Sequence, residues 1–151
     1  MAKTAKAKPK TKAQTKGPAQ AGGSLESVFS AIETILKSHA PPFRRDIACM
    51  SGGKKSFQLA VPKPVVIPGS NGGKPVPVPL AAVILQKGYV GLYLMCIYMN
   101  DAAKKKIAPA LLKLLKGKTC FHVKKLDDGL RGDIEAALEM GTKAYRERGW
   151  L

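Results

Sequence analysis

The chain has 151 residues, 26 Lys and Arg against 10 Asp and Glu, a formal charge of +16 and a pI near 10.0. That length suits one domain with a real core and is too short for a multidomain enzyme. Lys87 and Gly88 interrupt the longest apolar region, which excludes a transmembrane helix, and the Lys-rich N-terminus has no apolar stretch of a secretory signal, so a soluble cytoplasmic protein is expected.

Residues 1–23 contain Lys3, Lys6, Lys8, Lys10, Lys12 and Lys16 but no acid, aromatic or branched aliphatic residue. Such a segment buries too little apolar area to offset its ordering entropy and is predicted to be a disordered basic tail, its lysines candidates for contact with nucleic acid. Without them, 20 basic residues still face 10 acidic ones, so the domain over 24–151 carries +10. Tail and domain alike favour an anionic partner: nucleic acid, an acidic protein or a membrane surface.

Ser24 suits an N-cap, and Leu25, Val28, Phe29, Ile32, Ile35 and Leu36 recur at helical spacing, predicting an amphipathic helix over about 25–39 that Pro41 and Pro42 stop. His39 falls in its last turn, where a cation suits the helix dipole. Residues 56–61 alternate with period two and predict a half-buried strand. A resumption of that strand is expected at 65–67, where Pro62, Pro64 and Pro68 confine it to an edge or bulge. A Pro/Gly loop over 68–79 leads to two β-rich runs, 80–86 and 89–99, joined by a hairpin at Lys87 and Gly88. The second run is apolar on both faces and reads as a central strand covered on both sides. Pro109 opens a short helix through the leucines 111, 112, 114 and 115, ended by Gly117. A strand follows over 119–124. Asp127 or Asp128 then caps a final helix whose Leu130, Ile134, Ala137, Leu138, Gly141 and Tyr145 lie on one face, with Gly149 as its stop. The predicted class is α+β: an antiparallel sheet of about four or five strands, with the N- and C-terminal helices packed on one face.

The segment from Met50 to Ser56 is similar to a phosphate loop, yet Lys55 stands where a Walker sequence needs Ser or Thr, and a strand follows in place of a helix. It is rejected as a nucleotide motif. Arg44, Arg45, Lys54 and Lys55 remain candidates for a looser anion-binding loop beside the glycine amides, or simply a solvated basic loop. Cys49, Cys96 and Cys120 form an odd, widely spaced set without a CxxC and read as reduced thiols. Cys120 and His122 share one face of a strand and offer two metal ligands, which do not make a site. Asp128, Glu135 and Glu139 are further metal candidates; acids favoured by the helix N-terminus and a solvated face explain them equally.

The run Gln86-Lys87-Gly88-Tyr89-Val90-Gly91-Leu92-Tyr93, with Leu114-Leu115-Lys116-Gly117-Lys118-Thr119-Cys120-Phe121-His122 and Leu126-Asp127-Asp128, resembles the YdhG-like bacterial domain family, of unknown function and with members described as frataxin-like. The resemblance covers about 83–151. It implies an α+β fold and, through the frataxin-like members, iron handling. An iron carrier of that kind presents a dense acidic surface, whereas this domain is basic.

Three functions follow as expectations. The first is a non-catalytic ligand- or partner-binding domain, with ligand candidates Lys87, Tyr89, Tyr93, Lys118, His122 and Lys124 and with iron handling as a special case. The second is a nucleic-acid-associated protein binding through the tail and basic loops. The third is a small enzyme acting on an anionic substrate near Lys87, Tyr89, Tyr93, Lys118 and His122, with His122 as acid or base. A concave exposed face bearing Tyr89, Tyr93, His122 and Lys124 would imply a ligand surface or a homo-oligomer contact.

Overall fold

A computed structural model of the chain describes residues 23–46, 54–98 and 100–151. The expected tail lysines, Cys49 and the glycine-loop residues 50–53 therefore lie outside the described residues. The first helix, α1 (Leu25–Ser38), begins where Ser24 accepts a hydrogen bond from the Ser27 amide at 3.3 Å. Its helical spacing buries Val28, Phe29, Ile32, Ile35 and Leu36. The strands are β1 (Arg44–Asp46), β2 (Ser56–Ala60), β3 (Pro79–Leu85), β4 (Val90–Leu94), β5 (Leu115–Lys116) and β6 (Cys120–Val123). They form one antiparallel sheet in the order β1-β2-β3-β4-β6-β5. Two short helices, α2 (Asp101–Lys105) and α3 (Pro109–Leu112), connect β4 to β5, and α4 (Asp128–Glu147) ends the fold.

Register sorts the side chains between the two faces. Val83 lies opposite Leu92, and Leu92 opposite Phe121; Leu85 lies opposite Val90, and Val90 opposite Val123. Directly opposed residues share a face, so this row forms one apolar surface. Leu59, Val83, Leu92, Leu94, Phe121 and Val123 retain 0% exposure there and join the buried residues of α1 and α4 in one core. Each such leucine or phenylalanine contributes about 1.5–3 kcal/mol of burial. The other face carries Gln58, Ala82, Tyr93 and Cys120 in one row and Ile84, Gly91 and His122 in the next. Ala82 and Ile84 are buried but stand apart from the main core.

One irregularity joins sheet to helix. Leu59 pairs with Ala81 while Ala60 pairs with Pro79, so Leu80 is an extra residue on β3. The bulge turns Leu80 into the core, against α4. A Cβ added to Gly141 would fall 2.8 Å from both Leu80 Cδ1 and Cys96 Sγ, so glycine is what lets the helix come this close. Farther along α4, the Tyr145 hydroxyl donates to the Pro79 carbonyl at 2.8 Å, and its ring meets Phe43 and Trp150 edge-on. At its start, Asp127 accepts from the Leu130 amide at 2.7 Å. Among the described residues no helix is long and apolar enough to cross a membrane.

The α+β class and the helices at both ends of the chain are as expected, with six strands in place of four or five. The extra strand at the N-terminal side, β1, has the sequence Arg-Arg-Asp, without apolar alternation; its backbone pairing with β2 creates it. The run expected as strand over 89–99 stops at Leu94. A 3-10 turn over Met95–Ile97 follows, and the Asn100 side chain accepts from the Ala102 and Ala103 amides to start α2. The helix expected from Pro109 to Gly117 lasts only four residues; Leu115 and Lys116 pair with β6, and Gly117, at φ 87°, makes the turn between β5 and β6. The piece expected at 65–67 is a single bridge between Val65 and Val76 that closes the Pro/Gly loop.

The contrast between two glycines of α4 is directly testable. Gly132 has nothing within 4 Å of where a Cβ would sit, whereas Gly141 has three atoms closer than 3.0 Å. Gly132→Ala should raise stability by roughly 1 kcal/mol through helix propensity, and Gly141→Ala should lower it by about 1–3 kcal/mol through overpacking. Urea unfolding measures both, and a Gly141→Ala protein as stable as the parent contradicts the close approach of α4 to the bulge.

Candidate functional site

The face of the sheet turned away from the core gathers most of the chemically distinctive side chains. Tyr89, Gly91 and Tyr93 alternate along one side of β4, and the register sets Gly91 opposite His122 and Tyr93 opposite Cys120. The Tyr89 ring stacks on His122, centroids 3.8 Å apart and planes 12° from parallel. Tyr93 lies down over Gly91: a Cβ there would meet Tyr93 Cε2 at 3.0 Å. Glycine thus clears space for a ring laid flat on the sheet. The Tyr93 hydroxyl engages the side chains of Gln86 and Cys120, and the Lys54 ammonium donates to the Gln86 side-chain oxygen. Burial, reinforced by Cys120, pushes the Tyr93 hydroxyl up to about 12, so it stays a neutral donor at physiological pH.

A groove of about 800 Å³ opens at the β5 edge, between that edge, α3 and the first turns of α4. Lys113, Lys116, Lys124 and Lys125 line it together with His122. Its two carboxylates are Asp127, already capping α4, and Asp133. Among the described residues none of the four lysines is held in an ion pair. His122 belongs to both features: its ring stacks on Tyr89, and the residue lines the groove. The ladder explains this convergence. Lys116 lies opposite Cys120, which lies opposite Tyr93, and the His122 amide donates to the Leu114 carbonyl at 2.9 Å.

Of the ligand candidates read from the sequence, Tyr89, Tyr93, His122 and Lys124 come together here. Lys87 sits exposed at the tip of the β3–β4 hairpin, and Lys118 stands over the Tyr98 ring at 5.6 Å, beside a separate hollow formed with Asp101 and Lys104. The five residues proposed for a small enzyme therefore do not share one pocket. The anion-loop candidates also separate. Arg44 and Arg45 occupy β1, at the opposite edge of the sheet from the groove. Lys55 pairs with Glu26 at 2.9 Å and lies over the Phe29 ring, tying β2 to α1. Lys54 reaches toward the open face through Gln86.

Cys120 and His122 share a face, as the strand predicts, but among the described residues no three His, Cys, Asp or Glu side chains gather to hold a metal. Asp128, Glu135 and Glu139 are exposed on α4, and Glu139 lies by a small hollow with His39 and Arg146. These residues do not fit an iron site. His39 places Nδ1 3.0 Å from the Ile35 carbonyl at the end of α1, a helix-terminal role. Cys96 and Cys120 are free thiols, and burial pushes Cys96 up to about 11, which keeps it a protonated core group. Sequence reasoning missed Lys113, Lys116 and Lys125 as site residues. The glycine-centred hairpin at Gly117 was the signal that would have placed Lys116 beside Cys120.

The environment of Tyr93 makes a prediction with a definite sign. Because the neighbouring thiol raises its pKa, Cys120→Ala should lower the Tyr93 value from about 12. An ultraviolet absorbance titration with Tyr93→Phe as the reference reads the shift; an unchanged or higher value contradicts the contact. Compared with family models, with curated proteins and with solved structures, the chain matches none.

Proposed function

We propose that the domain, which resembles the YdhG-like family, is a non-catalytic partner-binding domain, that its basic charge selects an anionic partner, and that the partner's charge is met in the groove at the β5 edge. The observation that carries this reading is the set of four lysines around one concave surface that His122 also lines. Strongly like-charged clefts concentrate counter-charged ligands and speed their encounter. A binding role is favoured over acid–base chemistry by the state of His122, whose ring is stacked on Tyr89 and which, among the described residues, makes no hydrogen bond or ion pair with the carboxylates of the groove, Asp127 and Asp133. Iron handling draws no support from the scattered acids of α4.

Inorganic polyphosphate is a suitable probe with the full chain. Binding should weaken steeply with added salt, as expected where several lysines displace counterions. The double variant Lys116→Glu, Lys124→Glu should bind at least about tenfold more weakly, and Arg45→Glu, at the far sheet edge, should change affinity less than about twofold. Equal losses from the groove and far-edge variants, or no loss from either, would place the partner elsewhere on the chain.

A further inference from the structure

We propose that the partner is single-stranded nucleic acid, held on the folded domain itself: bases stack against the Tyr89–His122 pair and Tyr93, while the phosphates follow the lysines of the β5 edge. This rests on the anion-binding reading above and adds the class of partner and the way it is read.

The argument begins with what the lysines adjoin. A cluster of lysines alone suits any polyanion. Here it borders half-buried aromatic rings on the face of an antiparallel sheet turned away from the core, and that pairing of flat rings with an adjacent cationic track is how a surface engages unpaired bases and their backbone together. Tyr89 and His122 are parallel to within 12° at 3.8 Å, a stacking geometry that another planar ring can continue. His122 lines the groove while Tyr89 does not, so a ring entering the groove meets the stack at His122.

The ladder then sets the spacing. Tyr93, Cys120 and Lys116 follow one another across β4, β6 and β5, and Lys124 follows directly on β6, two residues past His122. Tyr93 is therefore two strands from Lys116, about 10 Å at the usual strand separation. Tyr93 thus stands on the inner strand and Lys116 on the edge strand, the order in which a nucleotide carries base and phosphate. Tyr93 remains a neutral phenol and offers a polar edge beside Gln86, where a base can hydrogen-bond. A polyanion without aromatic rings, such as polyglutamate, would use the lysines and leave the rings unoccupied. A duplex hides its bases from such a surface.

Fluorescence anisotropy with the full chain separates these layers. The probes are a short labelled oligothymidylate, an abasic strand of the same length and charge, and polyglutamate as competitor. The oligothymidylate should bind about tenfold more tightly than the abasic strand. Tyr89→Ala and His122→Ala should each weaken oligothymidylate binding about tenfold and leave abasic binding within about twofold. Tyr89→Phe, which keeps the ring, should restore affinity and thereby show that a loss in Tyr89→Ala is not a loss of folding. Equal affinity for the base-bearing and abasic strands overturns base stacking and leaves the anionic groove standing. Polyglutamate displacing the strand at equal charge, or tighter binding to duplex than to single strand, overturns the choice of partner. If the abasic strand, the oligothymidylate and polyphosphate all fail to bind, the groove reading falls with it.

Discussion

The pairing of β3, β4 and β6 is the constraint on which the rest of the molecule depends. With Val83 opposite Leu92 and Leu92 opposite Phe121, every second side chain of three adjacent strands turns toward the helices, and the residues between them turn away. Because side chains alternate strictly, a slip of one residue would exchange the two faces and put Tyr93 and His122 against the helices. The large burial of the apolar row makes that exchange costly. A hydrophobic requirement on one side of the sheet thus fixes, on the other, which polar and aromatic groups become neighbours.

The second constraint comes from α4. Gly141 lets the helix settle against Leu80 and Cys96, while the Tyr145 hydroxyl ties its last turns to Pro79. Held along this length, the helix presents its first turns at a set position beside the β5 edge. Asp127 both caps the helix and contributes to the groove, and Gly129, Leu130 and Asp133 complete that wall. The groove is therefore a product of two packings, strand register for one wall and helix seating for the other. Its lysines have little part in stability, which leaves them available to a partner.

Elements with a long period were legible in the sequence. α1 and α4 each repeat the apolar spacing over several turns and carry a capping side chain, Ser24 or Asp127, and their boundaries fall within about a residue of expectation. The β3–β4 hairpin was equally clear, with Gly88 at φ 91° at its tip. The short elements were not. Two or three residues, as in β5 and β1, hold no measurable period, and their pairing is supplied by a neighbouring strand. The apolar run through Cys96 and Ile97 reads alike as strand or turn because both residues are buried either way. The site divides along the same line. Alternation sets Tyr89 with Tyr93 on one side of their strand and Cys120 with His122 on one side of theirs, and the β4–β6 register makes the two sides one face. Lys113 and Lys116 were hidden within a stretch read as one helix, so their proximity to His122 emerged only with the β5–β6 turn.

The brevity of the two border strands has its own consequence. A sheet ends in unpaired amides and carbonyls, which invite another extended chain to add itself. Here one border is three residues with Arg44 and Arg45, and the other is two residues ending in Lys116. Among the described residues neither offers enough backbone for a stable additional ladder, and a second copy would bring like charge against like. The sheet thus resists recruitment into a larger β-structure even though half of its surface is not covered by helices. A protein of this charge can leave aromatic rings accessible on that surface without inviting the edge-to-edge association that usually accompanies an unsealed sheet.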